Sequence, residues 1–68
     1  MITYSPLWNT LKARSISQYK LVHHYEISSG QLYRLRTNQH ISTYTLNRLC
    51  ELLDCPVQDV LQYCKSPE

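Results

Sequence analysis

The sequence predicts an all-α domain of five short helices. Three observations carry that expectation. Apolar residues recur at three- and four-residue spacings along most of the chain, serines and prolines stand just ahead of those runs where helices start, and no stretch beyond the first four residues alternates apolar and polar side chains as a half-buried strand does. With 68 residues, 43% of them hydrophobic, the chain can build one small core. Burying only about 60% of the surface that its unfolded form exposes leaves modest stability. One Gly, three Pro and the lack of any low-complexity run describe an ordered chain. A single domain is expected over residues 1–68, divided into an extended arm (1–4), a helical core (5–64) and a tail (65–68).

The arm carries Ile2 and Tyr4, which can pack or pair against something nearby. Ser5 and Pro6 then start the first helix, serine as the N-cap and proline at the first helical position, where its missing N–H has no partner to lose. Leu7, Trp8 and Leu11 make the buried stripe of that helix. Ser15-Ile16-Ser17 breaks the run, with Ser17 placed to cap the second helix and Ile16 available to plug the core. The second helix buries Leu21 and Val22. The third, Ser28 to Arg36, buries Leu32 and Leu35, with Ile27 ahead of them. Ser28 and Gln31 form a capping-box pattern, in which hydroxyl and amide each satisfy a backbone N–H at the helix start. Thr37 to Ile41 is a polar loop. Ser42 or Thr43 begins a fourth helix, the most regular in the chain, with Leu46, Leu49, Cys50 and Leu53 on its inner side. Asp54-Cys55-Pro56 ends it. Pro56, with Asp59 in the first turn, starts a fifth helix carrying Val57, Val60, Leu61 and Cys64.

The net charge of +2 conceals an asymmetry. Residues 1–48 carry Lys12, Arg14, Lys20, Arg34, Arg36 and Arg48 against Glu26 alone, a balance of +5, whereas residues 49–68 carry Glu51, Asp54, Asp59 and Glu68 against Lys65, a balance of −3. An anionic partner would dock on the basic side, which holds the second and third helices. On a wheel of about 100° per residue, Ser28, Leu32 and Leu35 gather on one side of the third helix. Ser29, Gly30, Tyr33, Arg34 and Thr37 are left on the other, a polar and basic face that suits the major groove of double-stranded DNA. Gln18 lies in the first turn of the second helix, where its side chain and the unpaired backbone N–H groups reach a phosphate. Each feature has an ordinary reading too: Arg34 and Arg36 as solvated charges, Trp8 and the six Tyr as core or rim aromatics. Gly30 either lets the helix approach a groove closely or is simply tolerated, at a cost of up to about 1 kcal/mol.

Other function classes find little support. Cys50, Cys55 and Cys64 are odd in number and lack paired C-x-x-C spacing, so they read as reduced thiols at apolar positions. Adjacent His23 and His24 point about 100° apart on a helix and cannot easily face one ion, so no metal is expected, and no cofactor either. No catalytic Ser-His-acid, Cys-His or paired-carboxylate spacing stands out, and an enzyme is not expected. The opening MITYSPLW has neither a charged n-region nor a long apolar stretch, and no window approaches a membrane span. A cytoplasmic location and no membrane partner are expected.

Gln18, Leu21-Val22, Ile27-Ser28, Leu32, Tyr33-Arg34-Leu35 and the later LNRLCELLDCPVQDVLQY together resemble the Cro/repressor-type (Xre-like) helix-turn-helix family. The likeness runs from Pro6 to Tyr63 and is to the small bacterial and phage members in which this domain is essentially the whole protein. It implies a lambda-repressor-like fold whose second and third helices form the helix-turn-helix, and a sequence-specific DNA-binding transcriptional regulator, expected to be a repressor. By position, Gln18 would anchor a phosphate, and Ser29, Gly30, Tyr33 and Arg34 would face the bases. Ser28, Arg36, Thr37 and Asn38 are expected along the DNA backbone. A homodimer is expected, joined through the fifth helix and the arm, with Val57, Val60, Leu61 or Tyr63 exposed in the monomer; no small-molecule effector is evident. The alternative is a protein-interaction module on the same fold that does not bind DNA. One departure stands out. Where the family usually has glycine between the two helices this chain has Glu26, costly in a left-handed conformation, so the turn is expected to differ locally, and its acid weakens rather than helps DNA binding.

Overall fold

Serine caps open three of the helices. Ser17, Ser28 and Ser42 stand in extended backbone, and each accepts a hydrogen bond through Oγ from the N–H three residues on, at Lys20, Gln31 and Thr45, all at 3.1 Å. The computed structural model describes residues 1–65; all of the expected tail but Lys65 lies outside them. In order the elements are β1 (Ile2–Thr3), α1 (Ser5–Ala13), α2 (Gln18–His23), α3 (Ser29–Arg36), α4 (Thr43–Leu53), a single 3₁₀ turn (Val57–Asp59) and β2 (Gln62–Tyr63). Among the described residues there are thus four α-helices, not five, and two short strands. α1 starts one residue earlier than expected. Its first carbonyl is that of Tyr4, bonded by Leu7 N at 3.0 Å, and Ser5 is inside the helix rather than its cap.

The fifth helix is replaced by that one tight turn and an extended strand. Two tertiary demands outweigh its apolar spacing. Thr10 Oγ1 donates to Asp59 O at 2.8 Å, claiming the carbonyl that would accept from Tyr63 N in a continued helix. Beyond it the chain pairs antiparallel with β1, Ile2 opposite Tyr63 and Thr3 opposite Gln62, and Cys64 N donates to Met1 O at 2.7 Å. A stretch this short, with β-branched Val57 and Val60, is a marginal helix on its own. The arm's expected pairing is therefore satisfied within the chain.

The turns between helices use the left-handed region at non-glycine residues: Ser15 (φ 56°), Glu26 (61°), Asn38 (56°) and Asp54 (50°). After α1, α3 and α4 the following N–H reaches back over the turn, Ile16 to Leu11 O at 2.9 Å, Gln39 to Arg34 O at 2.8 Å and Cys55 to Cys50 O at 3.1 Å. This is the bond that closes a left-handed helix cap and satisfies a terminal carbonyl. Glu26 adopts the left-handed conformation, and there Ile27 N closes on Leu21 O at 3.1 Å.

Leu7, Leu21, Ile27, Leu35, Leu49, Leu53 and Val60 are fully buried at the centre, so Val60 offers nothing to a partner. Trp8, Ile16, Val22, Leu46, Cys50 and Leu61 pack around them half-buried, which moves Trp8 and Val22 from the expected core to its rim. The three cysteines are free thiols; burial pushes the Cys55 thiol up, with Cys50, Asp59 and Asp54 adding to the shift and Arg14 opposing it. No helix among the described residues is long and apolar enough to cross a membrane.

Candidate nucleic-acid interface

α3 is held from behind and open in front. Leu32 and Leu35 are buried, while Ser29, Gly30, Tyr33, Arg34 and Arg36 are exposed. The four residues expected to face bases therefore share one outward surface, with Tyr33 57% exposed. Gly30 has ordinary helical φ, and a Cβ built there would meet only Ser28 Oγ, at 3.9 Å. Nothing inside the protein requires glycine at that position.

Residues expected along a DNA backbone fall into two groups. Gln18 and Arg36 are brought together: Arg36 Nε donates to Gln18 Oε1 at 2.8 Å, tying the start of α2 to the end of α3. With its oxygen occupied, Gln18 keeps two amide donors, and Arg36 keeps its terminal guanidinium donors. Ser28, Thr37 and Asn38 are exposed but committed inside the fold. Ser28 caps α3. Thr37 Oγ1 donates to Tyr33 O at 2.8 Å and accepts from Gln39 Nε2 at 2.9 Å. Asn38 Oδ1 accepts from Tyr4 N at 3.1 Å, while Tyr4 Oη, its pKa raised by burial, donates to Gln39 O at 2.8 Å.

The capping box at Ser28 is only half formed. Gln31 does not return to the cap's backbone; its Nε2 donates instead to Thr45 Oγ1 on α4, at 2.9 Å. Sequence reasoning missed this link, because Gln31 fits a local capping role equally well and Thr45, although four residues ahead of Leu49 on the buried stripe of α4, is a polar residue. It missed too the stacking of Tyr19 on His23, ring centroids 4.1 Å apart, which the four-residue spacing on α2 permits.

Electrostatics narrow the basic side. Arg14 is turned to the end of α4, donating to Leu53 O and, at 3.4 Å, to Asp54 O, where a cation complements the negative end of the helix dipole. Arg48 donates to Tyr25 O at 3.4 Å. Lys20, Arg34 and Arg36, all exposed, remain on the helix pair α2–α3 against one acid, Glu26.

Two short helices joined across a left-handed turn, the second buried on one side and polar and basic on the other, define a helix-turn-helix DNA-binding domain. The chain belongs to the Cro/C1-type helix-turn-helix DNA-binding domain family, whose model matches residues 6–66. Among solved structures, the crystal structure of the transcriptional regulator VanUg (Form II) is similar, with a TM-score of 0.83 and 26% sequence identity over 90% of this chain and 81% of that one. Comparison with curated proteins returns no match.

Proposed function

We propose that this chain is a sequence-specific transcriptional regulator that reads the major groove of double-stranded DNA with α3, and that it acts as a repressor. The observation that carries this reading is the outward surface of α3, where Ser29, Gly30, Tyr33 and Arg34 are exposed beside Lys20 and Arg36 while Leu32 and Leu35 hold the helix to the core. Arg34 presents a planar fork of donors matching the O6 and N7 acceptors of guanine. Gln18 and Arg36 act as one clamp on a phosphate, the position along the backbone with the most donors still available. Ser28, Thr37 and Asn38 line the same edge with the capacity that their internal bonds leave. Repression requires only that the groove be occupied, whereas activation needs a further surface for the transcription machinery. The likeness to a regulator, VanUg, supports the same class. Selection of bound sequences from a random duplex pool tests the proposal: an enriched motif is expected, and recovery of unenriched sequence at moderate salt defeats it.

The regulator is proposed to bind as a homodimer, because one eight-residue helix makes few base contacts. The two-residue ribbon leaves an edge of each strand unpaired. Tyr63 within it and Val57 in the preceding 3₁₀ turn are exposed, and Met1, Ile2, Leu46 and Leu61 line a groove of about 400 Å³. A second copy is the proposed occupant. Sedimentation on a selected duplex should show two chains per site, and Leu61→Asp should yield one; a single wild-type chain on a non-repeated site removes the dimer.

A further inference from the structure

Thr45 is the buried polar side chain of the core among the described residues, 4% exposed. It sits in the middle of a chain of hydrogen bonds that joins the starts of α3 and α4. Ser28 Oγ accepts from Gln31 N at 3.1 Å, Gln31 Nε2 donates to Thr45 Oγ1 at 2.9 Å, and Thr45 Oγ1 lies 3.1 Å from Ser42 Oγ, which also accepts from Thr45 N at 3.1 Å. A hydroxyl has one proton and two lone pairs. Thr45 Oγ1 accepts from the Gln31 amide and shares a hydrogen bond with Ser42 Oγ in which either hydroxyl can donate, so the buried hydroxyl is partnered on both sides. Valine would fill the same space without any polar group to satisfy, so what threonine adds at this position is direction.

Apart from the exposed Arg36–Gln18 bond at its far end, the packing of α3 supplies little direction. Leu32 and Leu35 hold the helix by apolar burial, which is non-directional and resists a roll about the helix axis only weakly. Departures of about 10–20° are enough to take a binding constellation out of register, and Arg34 stands on the side of α3 away from those two leucines. The Gln31–Thr45 bond leaves α3 within its first turn and ends on a different helix, so it opposes that roll. We propose that Thr45, acting through Gln31, is a positioning residue for base reading: it sets the rotational setting of α3 against α4 and so decides which base edge Arg34 meets. The inference rests on the reading of α3 as the helix that enters the groove.

The test measures affinity for the selected duplex and a scrambled one, with thermal melting alongside, for wild type, Thr45→Val, Thr45→Ser and Gln31→Met. Thr45→Val is expected to lower the preference for the selected duplex by about tenfold, the scale of one good base contact, with affinity for the scrambled duplex retained. Thr45→Ser keeps the hydroxyl and should keep the preference. Gln31→Met, at a half-buried position, should reproduce the loss, and it decides the matter alone if Thr45→Val does not fold. A full preference in Gln31→Met or in folded Thr45→Val overturns the proposal, as does equal weakening on both duplexes. Wild-type protein that binds both duplexes alike is a different outcome, and it defeats the underlying reading of α3.

Discussion

The turn between α2 and α3 and the outward surface of α3 use residue types in opposite ways. At the turn the backbone asks for glycine, with φ 61°, and the chain supplies Glu26. Inside α3 the backbone asks for a helix former, and the chain supplies its one glycine, Gly30. Each choice costs about 1 kcal/mol of intrinsic stability. The contrast teaches that backbone preference does not set either residue. At the turn an exposed acid beside a basic pair of helices limits how tightly any polyanion is held, and on α3 the missing side chain leaves room in front of the helix that no internal contact uses.

The largest expected effect sharpens that contrast from the α3 side. Arg34→Ala should cost about 1 to 3 kcal/mol on the selected duplex and relax selectivity at one base position, with no loss of thermal stability. Gln18→Ala is its control and should weaken all duplexes alike. Isotherms on both duplexes at two salt concentrations decide: Arg34→Ala protein that keeps its preference removes Arg34 from base reading.

Glu26→Gly comes next. Relief of the left-handed strain, offset by the greater freedom of glycine in the unfolded chain, should stabilise the fold by roughly 0.5 kcal/mol. Loss of the acid should tighten binding to every duplex without changing selectivity. Denaturant titration and two isotherms suffice, and unchanged stability would mean that the strain in the turn is no larger than the entropy that glycine adds to the unfolded chain.

Gly30→Ala comes last and is the change most able to break the contrast. The free protein gains about 0.5 to 1 kcal/mol, because the new methyl meets only Ser28 Oγ, while affinity for the selected duplex falls. A variant that melts higher and binds equally well makes Gly30 a tolerated residue with no role at the groove.

Much of this arrangement was legible in the sequence because it is local. Ser17, Ser28 and Ser42 cap the helices they precede, and the spacing of Leu32 and Leu35 correctly turned Tyr33 and Arg34 outward. What was not legible depends on partners distant in the chain. The fifth helix gave way because Thr10 captures Asp59 O and Met1 captures Cys64 N. Gln31 left its own cap for Thr45, fourteen positions on. Asn38, a polar loop residue by composition, turned inward to hold Tyr4 N. Glu26 lay between: its type showed that the turn would be costly, and only the fold could show that the costly conformation is adopted.

The ribbon that joins Met1 to Cys64 spans 63 positions, while α2 and α3 meet within one short stretch. Closing the long loop carries an entropy cost that grows with the logarithm of its length, so the helix pair can assemble before the ends find each other. Contacts made after the rate-limiting step chiefly govern unfolding speed. The two strands are expected to act as a late latch: weakening them should shorten the lifetime of the folded state and leave its rate of formation almost untouched.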